Sequence, residues 1–163
     1  GAGAFYYCTA LETVVADRLT SVGASAFAYC VSLAEISEEK IETIGTQGFY
    51  GCVSLTELNL AAIRTIGDYA FLQALTLKNV TIGSAVEKIG KNAFAYANAE
   101  GEEGTVLTVT FLGTDVPEFG EEIFKEVAAL EIVVADEATK TAFAAALEAY
   151  AEYIVVASAA AAA

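Results

Sequence analysis

A short motif, glycine followed four residues later by phenylalanine, returns along this chain at an almost fixed interval. It reads Gly1-Ala-Gly-Ala-Phe5, Gly23-Ala-Ser-Ala-Phe27, Gly45-Thr-Gln-Gly-Phe49, Gly67-Asp-Tyr-Ala-Phe71 and Gly90-Lys-Asn-Ala-Phe94, with a looser sixth copy at Gly120-Glu-Glu-Ile-Phe124. The first five phenylalanines lie 22, 22, 22 and 23 residues apart. A unit this short cannot enclose a core of its own. It buries its apolar face only by stacking on its neighbours, so a period in the twenties predicts a solenoid. A solenoid offers a long surface for binding more readily than a closed pocket for chemistry.

Other positions keep the same period. Three residues after Phe stand Cys8, Cys30 and Cys52, then Ala74 and Ala97. Six residues after it stand Leu11, Leu33, Leu55, Leu77 and Leu130, and three further on Val14, Ile36, Leu58, Val80 and Val133. The pairs Leu19/Val22, Ile41/Ile44, Ile63/Ile66, Val86/Ile89 and Val116/Phe119 follow, and the glycine restarts the cycle. Alternation such as Leu58-Asn-Leu60 is that of a half-buried strand. The Ile-x-x-Ile-Gly segment turns back along the other side, where glycine is expected to supply a backbone conformation that other residues resist. Ala-Phe-x-x-Cys fits one tight helical turn with Phe and Cys facing inward.

These residues resemble the leucine-rich repeats of the BspA-like class, whose unit runs roughly Cys-x-x-Leu-x-x-Ile-x-Ile-Pro-x-x-Val-x-x-Ile-Gly-x-x-Ala-Phe-x-x-Cys. The likeness extends from about Gly1 to Ala135. The proline that follows the strand in that class is absent, and Pro117 is the chain's one proline. The resemblance implies an α/β leucine-rich-repeat solenoid of about six 22–23-residue units, each a short strand plus a short helical turn. It also implies a C-terminal capping helix within Ala138–Ile154. The expected organisation is a solenoid over 1–135, a cap helix and strand over 136–156, and an Ala-rich tail over 157–163. The class occurs in surface proteins of oral and gut bacteria, so the resemblance implies an extracellular or cell-surface location and a protein ligand on a host or another cell.

Composition narrows the function classes. The chain carries 22 acidic and 8 basic residues, a formal net charge of −14. That disfavours nucleic acid, whose binding depends on Lys and Arg neutralising phosphates, and permits a basic partner. Apolar residues make up 56% of the chain but follow the repeat period, and no run long enough to span a bilayer appears, so membrane insertion is not expected. The chain opens inside a repeat without Met, and reads as a fragment or a trimmed product.

The residue types that carry chemistry fit the repeat better than a catalytic site. Cys8, Cys30 and Cys52 are spaced at the repeat period, whereas metal sites favour close pairs, and no His is present to complete one. They are expected to be reduced thiols packed as small hydrophobes. The acidic neighbours Glu38-Glu39, Glu102-Glu103 and Glu121-Glu122 do not converge across a bond as a glycosidase requires. Asp115, Glu118 and the Glu102-Glu103 loop lack the spacing of a calcium loop. No enzyme activity, metal or cofactor is expected.

Candidate contact residues lie on the outward strand positions: Thr13/Val15, Glu35/Ser37, Glu57/Asn59, Asn79/Thr81 and Ile132/Val134. They predict a polar, mildly acidic ribbon ending in an apolar patch near the C-terminus. Glu35, Glu57, Asn59, Asn79 and Thr81 are its leading members. Ala97 to Leu107 spans ten residues where Cys52 to Leu55 spans three, so the extra seven form an acidic loop that adds Glu102 and Glu103 to the candidates. Tyr7, Tyr29 and Tyr96 recur two residues after Phe and suggest an aromatic row at the rim. The function expected from all this is non-enzymatic binding or adhesion through the strand face. A structural spacer displaying other domains, or an engineered repeat scaffold suggested by the missing prolines and methionines, are the alternatives.

Overall fold

The structure is a computed structural model that describes residues 1–99 and 104–158. Each of the first five units contributes one strand to the front of the stack and one to a back sheet. The first unit carries β1 (Thr13–Val14) and β2 (Ser21–Val22), and the second β3 (Glu35–Ile36) and β4 (Thr43–Ile44). The third carries β5 (Glu57–Leu60) and β6 (Thr65–Ile66), and the fourth β7 (Asn79–Ile82) and β8 (Lys88–Ile89). The fifth carries β9 (Leu107–Phe111) and β10 (Glu118–Phe119), and the sixth adds β11 (Leu130–Val134). Helix α1 (Glu137–Ala146), a 3-10 helix (Glu148–Tyr153) and β12 (Ile154–Val156) follow.

All strand pairing among the described residues is parallel, as the connectivity of a solenoid requires. The back strands form one sheet in the order β2-β4-β6-β8-β10. The front strands form two sheets, β1-β3 and β5-β7-β9-β11-β12. A third ladder runs along the turns. Phe27 N–H donates to the Gly48 carbonyl at 2.9 Å, Phe49 to Ala70 at 2.8 Å, Phe71 to Ala93 at 2.8 Å and Phe94 to Ile123 at 2.9 Å. The residues two before and two after each of these phenylalanines bond forward in the same way, as Ser25 to Thr46 and Tyr29 to Tyr50. The tight turn expected around Phe is present, closed by bonds such as Cys30 N–H to Phe27 O at 3.1 Å. It differs from a helix in that every second N–H leaves it for the next unit.

That pattern needs left-handed backbone on both sides of Phe. Ser25, Tyr29, Gln47, Tyr69, Gln73, Asn92, Tyr96, Glu122 and Glu126 all have φ between 51° and 59° or at 61°. Each such side chain costs about 1–2 kcal/mol relative to the right-handed region. The motif glycines are a correction to the sequence reading. Gly23, Gly45, Gly67, Gly90 and Gly120 do not have positive φ; each is glycine for lack of space. A Cβ on Gly45 would lie 2.7 Å from Ala24 N, and one on Gly67 2.6 Å from Thr46 N, closer than real Cβ atoms come to backbone.

The core is a set of columns. Phe5, Phe27, Phe49, Phe71, Phe94 and Phe124 stack in one row with centroids 5.1, 5.3, 5.3, 5.2 and 5.8 Å apart and near-parallel planes. Beside it, Cys30 Sγ–H bonds the Phe5 carbonyl and Cys52 Sγ–H the Phe27 carbonyl, each at 3.1 Å. Ala74 and Ala97 keep the small size that this place demands but not the bond. The last unit is covered by α1, whose N-cap Asp136 accepts Thr139 N–H and Oγ1–H at 2.8 Å each. Phe143 packs edge-on against Phe111 at 4.9 Å, and Tyr150 against Phe124 at 5.4 Å.

Candidate functional site

Strand register fixes which outward side chains become neighbours. Glu57 lies beside Asn79, Asn79 beside Thr108 and Thr108 beside Glu131. One step along, Asn59, Thr81, Thr110 and Val133 make a second row. Glu35, Glu57, Asn59 and Asn79 are exposed and Thr81 half-buried. Asn79 Nδ2 donates to Glu57 Oε1 at 3.1 Å, so two neighbouring units share a polar contact on this face. Glu35 stands on β3 beside Thr13 of β1, in the smaller front sheet. Glu102 and Glu103 lie outside the described residues.

Thr108, Thr110 and Glu131 extend the ribbon beyond what spacing suggests, and the Ile132/Val134 pair expected in it is absent from it. Ile132 and Val134 point inward, with exposures of 0% and 1%. The outward residues of β11 are Glu131 and Val133, so the ribbon does not end in the expected Ile132/Val134 patch. The Leu-x-x-Ile spacing does not extend into the last units. There the strands are five residues long and alternate strictly, with Leu107, Val109 and Phe111 buried and Leu130 in register with Leu107. Thr108 pairs with Asn79, which sets Val106, not Leu107, opposite Leu77; the insertion is therefore six residues rather than seven. Its base is closed by Asn98 Nδ2–H to the Thr105 carbonyl at 3.0 Å.

The electrostatics divide by face. Arg64 pairs with Glu87 at 2.9 Å, Lys88 with Glu118 at 2.6 Å, Lys91 with Glu121 at 3.0 Å and Lys125 with Glu122 at 3.1 Å. These pairs lie on the back sheet and turn edges, not on the front ribbon. The Glu118 carboxylate holds the Lys88 ammonium above its usual range, and the Lys125 ammonium holds Glu122 below the usual carboxylate range. Half of the eight basic residues are thus engaged away from the ribbon, where Glu35, Glu57 and Glu131 stand.

The tyrosine row takes a different shape from the one expected. Tyr7 and Tyr29 do meet, at 5.8 Å, but Tyr6 and Tyr50 complete the cluster, at 6.0 and 4.9 Å from Tyr29. Tyr96 stands apart, because Gly51 and Gln73 occupy the two turns between it and Tyr29. Cys30 and Cys52 are buried, and Cys8 is partly so. Burial, with a smaller effect from the Cys30 thiol, pushes the Cys52 thiol up to about 12, which keeps it protonated and poorly nucleophilic. Among the described residues no three His, Cys, Asp or Glu side chains come together in a metal-binding group, and no helix is long and apolar enough to cross a membrane.

Comparison with known proteins agrees with this architecture. The BspA type leucine rich repeat region family matches residues 1–131 in six copies. Among solved structures, a leucine rich cell surface protein from Faecalibacterium prausnitzii A2-165 superposes with a TM-score of 0.68 at 26% identity. The match covers 84% of this chain and 36% of that one. The pneumococcal vaccine antigen PcpA superposes with a TM-score of 0.57 at 24% identity, over 74% of this chain and 29% of that one, and so shares the fold. This chain therefore spans about a third of the length of the proteins it superposes on. No curated protein matches it. By its six stacked units and the match over residues 1–131, the chain belongs to the BspA-type leucine-rich repeat family.

Proposed function

We propose that this chain is a non-enzymatic binding module of a secreted or cell-surface bacterial protein, and that it contacts a protein ligand through the front ribbon. The observation that carries this reading is the ribbon itself. Short polar side chains (Asn59, Asn79, Thr81, Thr108, Thr110) and the carboxylates of Glu35, Glu57 and Glu131 repeat on strands backed by a buried core. Short side chains lose little rotamer entropy when a partner covers them. Among the described residues no ion pair engages Glu35, Glu57 or Glu131, while four of the eight basic residues pair with other carboxylates, so the partner that fits is neutral or basic. Glu102 and Glu103 belong to this proposal as flanking contacts from the inserted loop. The surface location of the Faecalibacterium relative supports the same placement.

The test is adhesion of beads coated with the purified chain to cultured epithelial cells and to immobilised matrix proteins, over a salt series. The expected result is attachment that weakens as salt rises and falls about tenfold for the E35K/E57K variant. Parent beads that attach no better than uncoated ones would favour the spacer. A variant that attaches as well as the parent would move the site off the front ribbon.

A further inference from the structure

The front sheet is broken in one place, and the sequence explains why. Two residues beyond the inward Leu58, Val80 and Val109 stand Leu60, Ile82 and Phe111, which are 0%, 0% and 3% exposed. The equivalent residue in the second unit is Glu38. A carboxylate cannot take a buried inward position without a charged partner or a heavy desolvation cost. β3, like β1 before it, runs for two residues where β5 and β7 run for four, and Glu38 stays half-buried at the surface.

Among the described residues β3 does not pair with β5. Where β1 meets β3, Ala34 N–H donates to the Glu12 carbonyl at 2.9 Å and Ser37 N–H to Val14 O at 3.0 Å. Where β5 meets β7, Lys78 N–H and Asn79 N–H both reach the Thr56 carbonyl, at 2.8 and 3.2 Å. At the junction of β3 and β5 the corresponding donor, Asn59 N–H, bonds instead to Glu38 Oε1 at 3.0 Å. The carboxylate thus occupies the place of the Ile36 carbonyl. A cleft of about 300 Å³ opens beside it, lined by Asp17, Ile36, Ser37, Glu38 and Asn59 among others.

The other ladders are intact at this junction. Thr43 and Ile44 pair with Thr65 and Ile66 on the back sheet. Phe27 and Tyr29 bond forward at 2.9 and 2.7 Å on the turn side, and Ser54 Oγ–H holds the Val31 carbonyl at 2.6 Å. A stack joined on two sides and parted on the third has one soft direction. We propose that the solenoid hinges between its second and third units, the front edge opening and closing about the unbroken back sheet and turn ladder, with the Glu38 side chain as the wedge. The hinge stands independently of the binding reading, and it would vary the distance between Glu35 and Glu57 within the ribbon.

Amide hydrogen exchange on the intact chain tests this without any ligand. The Thr56 and Glu57 amides should exchange at least about tenfold faster than their equivalents Lys78 and Asn79 in the next unit. Replacing the wedge, Glu38→Leu, should restore the inward apolar residue and slow Thr56 and Glu57 by about tenfold, whereas Glu38→Gln, which stays polar, should leave them fast. Equal rates at Thr56/Glu57 and Lys78/Asn79 in the parent would show a closed front sheet and overturn the hinge. Fast exchange that Glu38→Leu does not slow would overturn the role of Glu38, and with it the proposal.

Discussion

Truncating one ring of the phenylalanine column, Phe49→Ala, is the sharpest test of how the units hold together. Phe49 is 1% exposed and lies between Phe27 and Phe71, both at 5.3 Å and within 5° of parallel. The substitution removes the buried ring from water-free packing and leaves a cavity between two rings that their own backbone ladders prevent from closing. Phe→Ala changes in such surroundings cost about 3–5 kcal/mol, and the rigid ladders on either side place this one near 4 kcal/mol by the same reasoning. The end of the column provides an internal comparison. Phe5 is 43% exposed and stacks on Phe27 alone, at 5.1 Å, so Phe5→Ala should cost about 1–2 kcal/mol, the transfer of half a side chain with little cavity. Urea unfolding followed by circular dichroism measures both, provided the slope is unchanged between variants. A loss under about 1 kcal/mol for Phe49→Ala, or equal losses at the two positions, would refute the column as the element that couples the units.

Further outcomes follow from the same packing. Gly67→Ala should destabilise by about 2–3 kcal/mol, because its Cβ meets the Thr46 backbone and not a movable side chain; a neutral effect in the same unfolding assay would contradict the close approach. Gln73→Gly should raise stability by about 0.5 kcal/mol, since relief of the left-handed strain at φ 61° exceeds the entropy that glycine adds; a loss of stability would argue against that strain. In the folded protein at pH 9, Cys52 should resist a thiol reagent that labels it readily in urea, because its thiol titrates at about 12; rapid labelling without denaturant would show the column open. Thr139 N–H and Oγ1–H hold the Asp136 carboxyl below its ordinary range. The cap therefore contributes above the ordinary value of 3.8 and fades as the pH falls through the lower folded value. Helical signal lost on acidification should shrink in Asp136→Asn, and an unchanged acid transition would contradict the cap.

The repeat was legible because each unit solves the same packing problem with the same residue types. Phe27, Phe49 and Phe71 recur at one interval since each must stack on the last, and Cys30 and Cys52 recur since only a small side chain fits beside them. What escaped were departures from that regularity. The insertion before Val106 shifted the fifth strand, and strict alternation in Leu107–Phe111 and Leu130–Val134 replaced the three-residue spacing, which hid Thr108, Thr110 and Glu131 and misplaced Ile132 and Val134. The strand alternation of Leu-Thr-Val-Thr-Phe was the available signal. Glu38 looked like half of a solvated acidic pair; only its alignment with Leu60 and Ile82 marks it as a charge in an inward place. The left-handed turns were invisible because Tyr, Gln and Glu, not Gly or Asn alone, fill them.

The most direct test of the central claim compares the two faces of the same solenoid. Charge reversal at Glu35 and Glu57 alters the front ribbon; reversal at Glu42 and Glu87, both exposed and flanking the back strands, alters the opposite face by the same charge. With both variants shown to unfold at the parent's urea midpoint, bead adhesion to the same cells and matrix proteins should fall about tenfold for E35K/E57K and remain near the parent level for E42K/E87K. Equal losses in the two variants, or a loss confined to E42K/E87K, would contradict a binding site on the front ribbon.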